Sequence, residues 1–180
     1  MEILDIVDEG GEPTGRTAER ETVHRLGLLH RTSHVWIARR TEGGAELLLQ
    51  KRSRTKDSFP GCWDISSAGH IPAGSDYVPS ALRELREELG EEARAEELRF
   101  MGMRRISWRG EFRGLPFLDE QVTRVYLLER SRDADGFRLQ ASEIEAVRWL
   151  PYGECLRGVR ESAFPTCIVP EELLMLAPGL

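Results

Sequence analysis

A mixed α/β or α+β domain is the fold class that this 180-residue sequence predicts. Three observations carry it. Strand-like runs stand on both sides of the chain's middle, one strongly amphipathic helix lies between them, and no low-complexity linker or repeat divides the sequence. The length suits one domain, 1–180, with a core large enough to stand without disulfides or a structural metal.

Ile3 to Val7 alternates apolar and acidic residues and ends in Asp8-Glu9-Gly10-Gly11, a short strand and turn. A polar stretch leads to a second strand, His34-Val35-Trp36-Ile37-Ala38. The turn Glu42-Gly43-Gly44 and a third strand, Glu46 to Gln50, complete a hairpin. Residues 53–64 read as a loop rich in Ser, Lys, Pro and Gly, and Trp63 to Ser67 as strand again. The pattern turns helical from about Asp76 to Leu89. Leu98 to Ser107 and Gln121 to Arg130 then read as strands joined by 109–119, with Val147 to Leu150 as a last strand. The tail, punctuated by Pro151, Pro165, Pro170 and Pro178, leaves room for a short helix or two.

Composition narrows the function classes. A net charge of −6 argues against broad binding of a nucleic-acid polymer, which needs a basic surface. Cys62, Cys155 and Cys167 are isolated, so neither a disulfide framework nor a zinc knuckle is predicted, and a reducing compartment fits best. The acidic opening residues do not resemble a signal peptide, and no apolar run approaches the roughly 20 residues of a membrane span. The expectation is a cytoplasmic protein with no membrane partner.

The helix holds the chemistry. At ~100° per residue, Val78, Leu85 and Leu89 fall within about 40–60° of Leu82, while Glu84, Glu87 and Glu88 fall near 200°, 140° and 240°. An acidic face opposite a leucine stripe is also what any solvated surface helix presents. Two features weigh toward function. Glu84/Glu88 and Glu87/Glu91 are like-charge i,i+4 pairs costing roughly 0.2–0.5 kcal/mol each, only partly offset by Arg83, which a divalent cation would relieve. The preceding loop, Gly69 to Gly74, can bring backbone close to a ligand. Hard carboxylate oxygens suit Mg²⁺ or Mn²⁺.

Residues 69–91, GHIPAGSDYVPSALRELREELGE, resemble the Nudix box, G-x5-E-x7-R-E-U-x-E-E-x-G-U, where U is bulky and apolar. Gly69, Arg83, Glu84, Leu85, Glu87, Glu88 and Gly90 match at the family's spacing. Ser75 stands at the first glutamate and Glu91 at the final apolar position. The resemblance implies the Nudix fold, an α/β/α sandwich with a mixed β-sheet. It also implies Mg²⁺ (or Mn²⁺) held by Glu84, Glu87, Glu88 and the Gly69 carbonyl, with Arg83 orienting Glu87. Such an ion polarises a diphosphate and lowers the pKa of an attacking water. Members differ in their catalytic base, and Glu84, Glu87 and Glu120 are the candidates. Asp76 or the Ser75 hydroxyl could stand in for the first glutamate by capping the helix.

The likeness extends to LDIVDEGGEPTG, VHRLGLLHRTSHVWI and LLLQKRSRTKDSFPGCWDISSAGH, which resemble the isopentenyl-diphosphate isomerase branch. That branch uses a cysteine where Ala68 stands and a glutamate where Gln121 stands. Neither residue here can carry a proton to carbon. The resemblance therefore implies a hydrolase of a nucleoside diphosphate derivative or other small organic diphosphate. Isomerase and non-catalytic ligand-sensing domain are the alternatives. Arg52 and Lys56 match phosphate-gripping positions of the isomerase, though Arg52, Arg54 and Lys56 read equally as a solvated basic loop. His30 and His70, and His24 with a one-residue shift, match its metal-ligating histidines, while the isomerase's carboxylates are absent. His34, Trp36, Trp63 and Trp149 read as structural and Cys62 as a small buried hydrophobe. Trp108 is the tryptophan expected to meet a ligand. Many members of the family dimerise, so a homodimer stays open.

Overall fold

The computed structural model describes residues 2–56, 58–112 and 114–180. Its elements run β1 (Ile3–Val7), β2 (Pro13–Glu19), α1 (Arg20–Leu26), β3 (His30–Thr41), β4 (Gly44–Arg52), β5 (Trp63–Asp64) and β6 (Ser67–His70). There follow α2 (Tyr77–Leu89), β7 (Arg99–Phe112), β8 (Leu115–Glu129), β9 (Ile144–Pro151), α3 (Tyr152–Arg160) and α4 (Pro170–Leu176). The main sheet has the order β5-β4-β3-β8-β7, with β6 added to β3 and β9 to β4. Only β3 and β8 run parallel, His30↔Gln121 through Ala38↔Glu129. The other ladders are antiparallel.

One face of this mixed sheet packs on α2 through Val35, Ile37, Leu48, Tyr126 and Leu128 against Ala81, Leu85 and Leu89. The other packs on α3 and α4 through Trp36, Leu47, Leu49, Val125 and Leu127 against Cys155, Val159, Leu173 and Leu176. Alternation along β3 sends Trp36 to one layer and Ile37 to the other, which is why these strands read as continuous apolar runs. The expected α/β/α sandwich is what the chain forms. A small third cluster, Leu4, Ile6 and Val23, ties β1 to α1.

β2 and α1 went unpredicted for good physical reason. β2 is exposed almost throughout and has no apolar period, and α1 is seven residues with only Val23 and His24 buried. The segment 109–119, read as a connection, is mostly strand, because β7 and β8 stay laddered out to Phe112↔Leu115. Of its two glycines, Gly110 is a packing residue rather than a breaker, since a Cβ there would lie 2.1 Å from the Trp108 ring, and Gly114 takes a positive φ of 77°.

The helical wheel placed all three glutamates opposite the core, and here the structure corrects it. Glu88 is buried beside Ala81, because β6 returns across that flank and Ser67 Oγ donates to Glu88 Oε2 at 2.7 Å. The second correction concerns Glu91. It lies past the left-handed Gly90 cap (φ 62°), where the chain leaves the helix. Its buried carboxylate pairs with Arg130 and, at 3.3 Å, with Arg132, so no Glu87/Glu91 repulsion exists to be relieved.

The loop entering α2 is held from β1. Asp5 Oδ2 accepts from Arg31 Nη2 at 3.0 Å and from Gly74 N at 2.9 Å, and Arg31 Nη2 also donates to the Ser75 carbonyl at 2.8 Å. Asp76 is the N-cap, accepting from Tyr77 N at 2.7 Å. The geometry that a glutamate at position 75 was expected to support is thus held by Asp5, Arg31 and Asp76.

Candidate functional site

β3 ladders first with β6, over Thr32–Val35, and then with β4, over Ile37–Thr41. A cavity of about 1030 Å³ is lined from both sides of this divide, at the upper end of the range for small-molecule sites. Gly69, Arg83, Glu84, Glu87, Glu88, Arg52 and Lys56 all line it, as do Ala68, Gln121 and Trp108.

Within it the α2 carboxylates sit under the Gly69 loop. Arg83 bridges two of them, with Nη1 donating to Glu87 Oε2 at 3.1 Å and Nη2 lying 2.6 Å from Glu84 Oε1. Its orienting contact to Glu87 is the one expected, and the contact to Glu84 is additional. Burial is the main force on the acids. It pushes the Glu84 carboxyl up to about 7 against the pull of Arg83, with Glu87 adding repulsion. It pushes Glu88 up to about 8, over the opposing hydrogen bond from Ser67. Half-buried Glu84 and buried Glu88, both held up near neutrality, and the exposed Glu87 carboxylate offer hard oxygens of the kind that a divalent cation suits.

Gly69 is needed here for space rather than for its φ angle, since a Cβ would lie 2.4 Å from both Cγ and Cδ of Glu84. Gly69→Ala should keep the fold while pushing Glu84 aside. About a 100-fold drop in turnover is expected for a displacement of that size, with an unchanged circular dichroism spectrum as the control.

The two phosphate-gripping candidates are already engaged. Arg52 donates to Asp64 at 3.0 Å and to the Ser58 carbonyl, and Lys56 pairs with Glu143. Arg54 is exposed and lies 3.8 Å from Glu145. Glu120 is not among the residues that line the cavity, but it is bound to two that are, Ser107 at 2.7 Å and Arg105 at 2.9 Å. Strand alternation explains this, since its neighbours Asp119 and Gln121 both line the cavity. Gln121 Nε2 donates to both oxygens of Asp119, at 2.7 and 2.8 Å, and its Oε1 accepts from Thr32.

The histidines do converge. The ligand atoms of His24, His30 and His70 lie within 4.8 Å of one another, and Asp119 Oδ1 is 3.6 Å from Nε2 of both His24 and His30. Burial keeps all three neutral, lowering His24 to about 3 and moving His30 and His70 in the same direction. His30 Nδ1 donates to the Leu28 carbonyl at 2.9 Å, which leaves its buried Nε2 a lone-pair nitrogen with no partner among the described residues. Asp119 was not singled out from the sequence, although its place two residues before Gln121 on one strand face was a usable signal.

His34 is more than a structural strand residue, since it lines the cavity. Trp36 is buried, and Trp63 and Trp149 pack with the cores under Arg148 and Arg39. Cys62 is half-buried and free. Trp108 stands in the cavity wall with its ring 4.9 Å from that of Phe59.

A glycine-led loop feeding a carboxylate-bearing helix, laid on a mixed sheet, is the architecture of the Nudix class. The NUDIX domain model matches residues 28–166, and the chain belongs to that family. Nudix hydrolase 3 of Arabidopsis thaliana is 42% identical over 158 residues, covering 85% of this chain but only 20% of that much longer protein. An uncharacterized Nudix hydrolase of Clostridium acetobutylicum is 35% identical over 156 residues, covering 87% of this chain and 73% of its own length. Among solved structures, DR0079 from Deinococcus radiodurans superposes with a TM-score of 0.69 at 22% identity, covering 98% of both chains. The chain is thus a Nudix hydrolase domain. Among the described residues no helix is long and apolar enough to cross a membrane.

Proposed function

We propose that this chain is a metal-dependent pyrophosphohydrolase that cleaves a diphosphate bond in a small organic substrate, a nucleoside diphosphate derivative among the candidates. The observation that carries the reading is the pair of half-buried Glu84 and buried Glu88, both held up near neutrality, with Glu84 set against a glycine whose missing Cβ leaves it room. Glu84, Glu87, Glu88 and the Gly69 carbonyl would hold Mg²⁺ or Mn²⁺. The bound ion would supply charge for the diphosphate and acidify a water. Arg83 fixes Glu84 and Glu87 relative to one another, and Ser67 orients Glu88. Glu84 and Glu87, which line the cavity, are the leading candidates for the base, and Glu120, bonded to the lining residues Arg105 and Ser107, stays a third. Isomerisation is disfavoured because Ala68 and the Asp119-bound Gln121 offer no proton relay to carbon. Phosphate release from a panel of diphosphates with Mg²⁺ or Mn²⁺ tests the reading. Ligand binding without turnover across the panel would favour the sensor instead.

The unpartnered His30 Nε2 supports a second cation, of softer type, at His24, His30, His70 and Asp119. Three neutral imidazoles and one carboxylate suit a transition ion such as Zn²⁺. Equilibrium dialysis should find a zinc ion retained by the wild type and lost in His30→Ala. Equal zinc in both would remove this second site.

A further inference from the structure

Glu172 lies on α4, beyond the family-matched segment 28–166, and is 3% exposed. His34 Nδ1 contacts its Oε1 and Oε2 at 2.9 and 3.1 Å, Trp36 Nε1 donates to Oε1 at 2.9 Å, and Arg104 Nη1 donates to Oε2 at 2.7 Å. His34 comes from β3 and Arg104 from β7, so one buried carboxylate fixes two basic side chains across the sheet. Both line the cavity. Among the described residues, Nε2 of His34 and Nε and Nη2 of Arg104 have no protein partner.

The charges favour an anion. Burial opposes protonation of His34, but Glu172 outweighs it and raises the imidazole. His34 and Arg104 together hold Glu172 down at about 2. The His34 imidazole and the Arg104 guanidinium share one carboxylate. Of the other groups that act on His34, Asp64 is bound to Arg52 at 3.0 Å. Asp119 is held by Gln121 and turned toward His24 and His30. Across the ladder from His34 stands the small Ala68, and both line the cavity. An apolar tail there would strip water from the Arg104 guanidinium without satisfying it, whereas phosphoryl oxygens accept from it in the charge-assisted manner and from His34 Nε2 when the ring is protonated.

We propose that His34 and Arg104, mounted on Glu172, form an anion subsite that receives a phosphoryl group of the substrate additional to the cleaved diphosphate. This rests on the diphosphate reading above and narrows it to substrates bearing a further phosphate. The test uses inorganic phosphate on ¹⁵N-histidine-labelled whole protein without added metal, so it stays readable if no diphosphate is ever turned over. Phosphate should shift the His34 ring resonances saturably. Its affinity should fall at least tenfold in His34→Gln and in Arg104→Gln and be largely restored in Arg104→Lys. Should His34→Gln fail to fold, the wild-type shifts and the Arg104 pair carry the result. Absent or non-saturable His34 shifts, or unchanged affinity in Arg104→Gln, would overturn the subsite. Acetate binding as tightly as phosphate would overturn the phosphoryl assignment.

Discussion

Glu88→Gln is expected to remove nearly all metal-dependent turnover while leaving the fold intact. Its side chain is isosteric, keeps an acceptor for Ser67 Oγ, and loses only the capacity to become a carboxylate. Removing a partner that merely orients a ligand costs roughly 10–100-fold, so a lost ligand should cost at least about 100-fold. The same variant has a signature without catalysis. Glu88 titrates at about 8 in the cation-free fold against 4.5 ordinarily. The folded protein therefore keeps a proton that the unfolded chain gives up. The stability this provides is fully present below about pH 4.5 and is lost as pH rises through about 8. In EDTA the wild-type Tm should fall across that window, and the fall should be shallower in Glu88→Gln, with Glu84 supplying the rest. An identical slope in both would show that Glu88 is not held protonated.

Glu91→Ala is expected to destabilise the fold by about 1.5–3 kcal/mol, the usual worth of a hydrogen bond to a charged group. Glu91 is 1% exposed and faces Arg130 and Arg132. Its removal takes the buried carboxylate from both guanidinium groups, leaving Arg130 with Glu97 at 3.2 Å and the half-exposed Arg132 with the Gly136 carbonyl. Urea unfolding measures the loss. A change below about 1 kcal/mol would mean that water reaches these arginines freely. Activity per folded molecule should be unaffected, which separates this glutamate from its three neighbours in the helix.

That contrast shows what a sequence can and cannot reveal. Spacing made the Gly69-to-Gly90 unit legible, because seven fixed positions leave little to chance, and the apolar strands declared the layers. Periodicity could not say that β6 would cover one flank of α2, so Glu88 was expected outside the core and lies within it. Nor could it say that Glu91, apparently a mismatch, fills its position with an ion pair. Residues that act by meeting across long separations left least trace. Arg31 reaches Asp5 across 26 positions and His34 reaches Glu172 across 138, and nothing local in the tail announces that meeting. The basic loop misled in the opposite sense, since Arg52 and Lys56 do reach the cavity but arrive with carboxylates already attached.

In the proposed reaction Glu84, Glu87 and Glu88 of α2 hold a divalent cation that the chemistry requires. The most direct test is phosphate release from the best diphosphate of the panel, measured with Mg²⁺, after EDTA, and after Mg²⁺ is restored. The account predicts loss to background on chelation and full recovery on re-addition. Undiminished turnover in EDTA would contradict it.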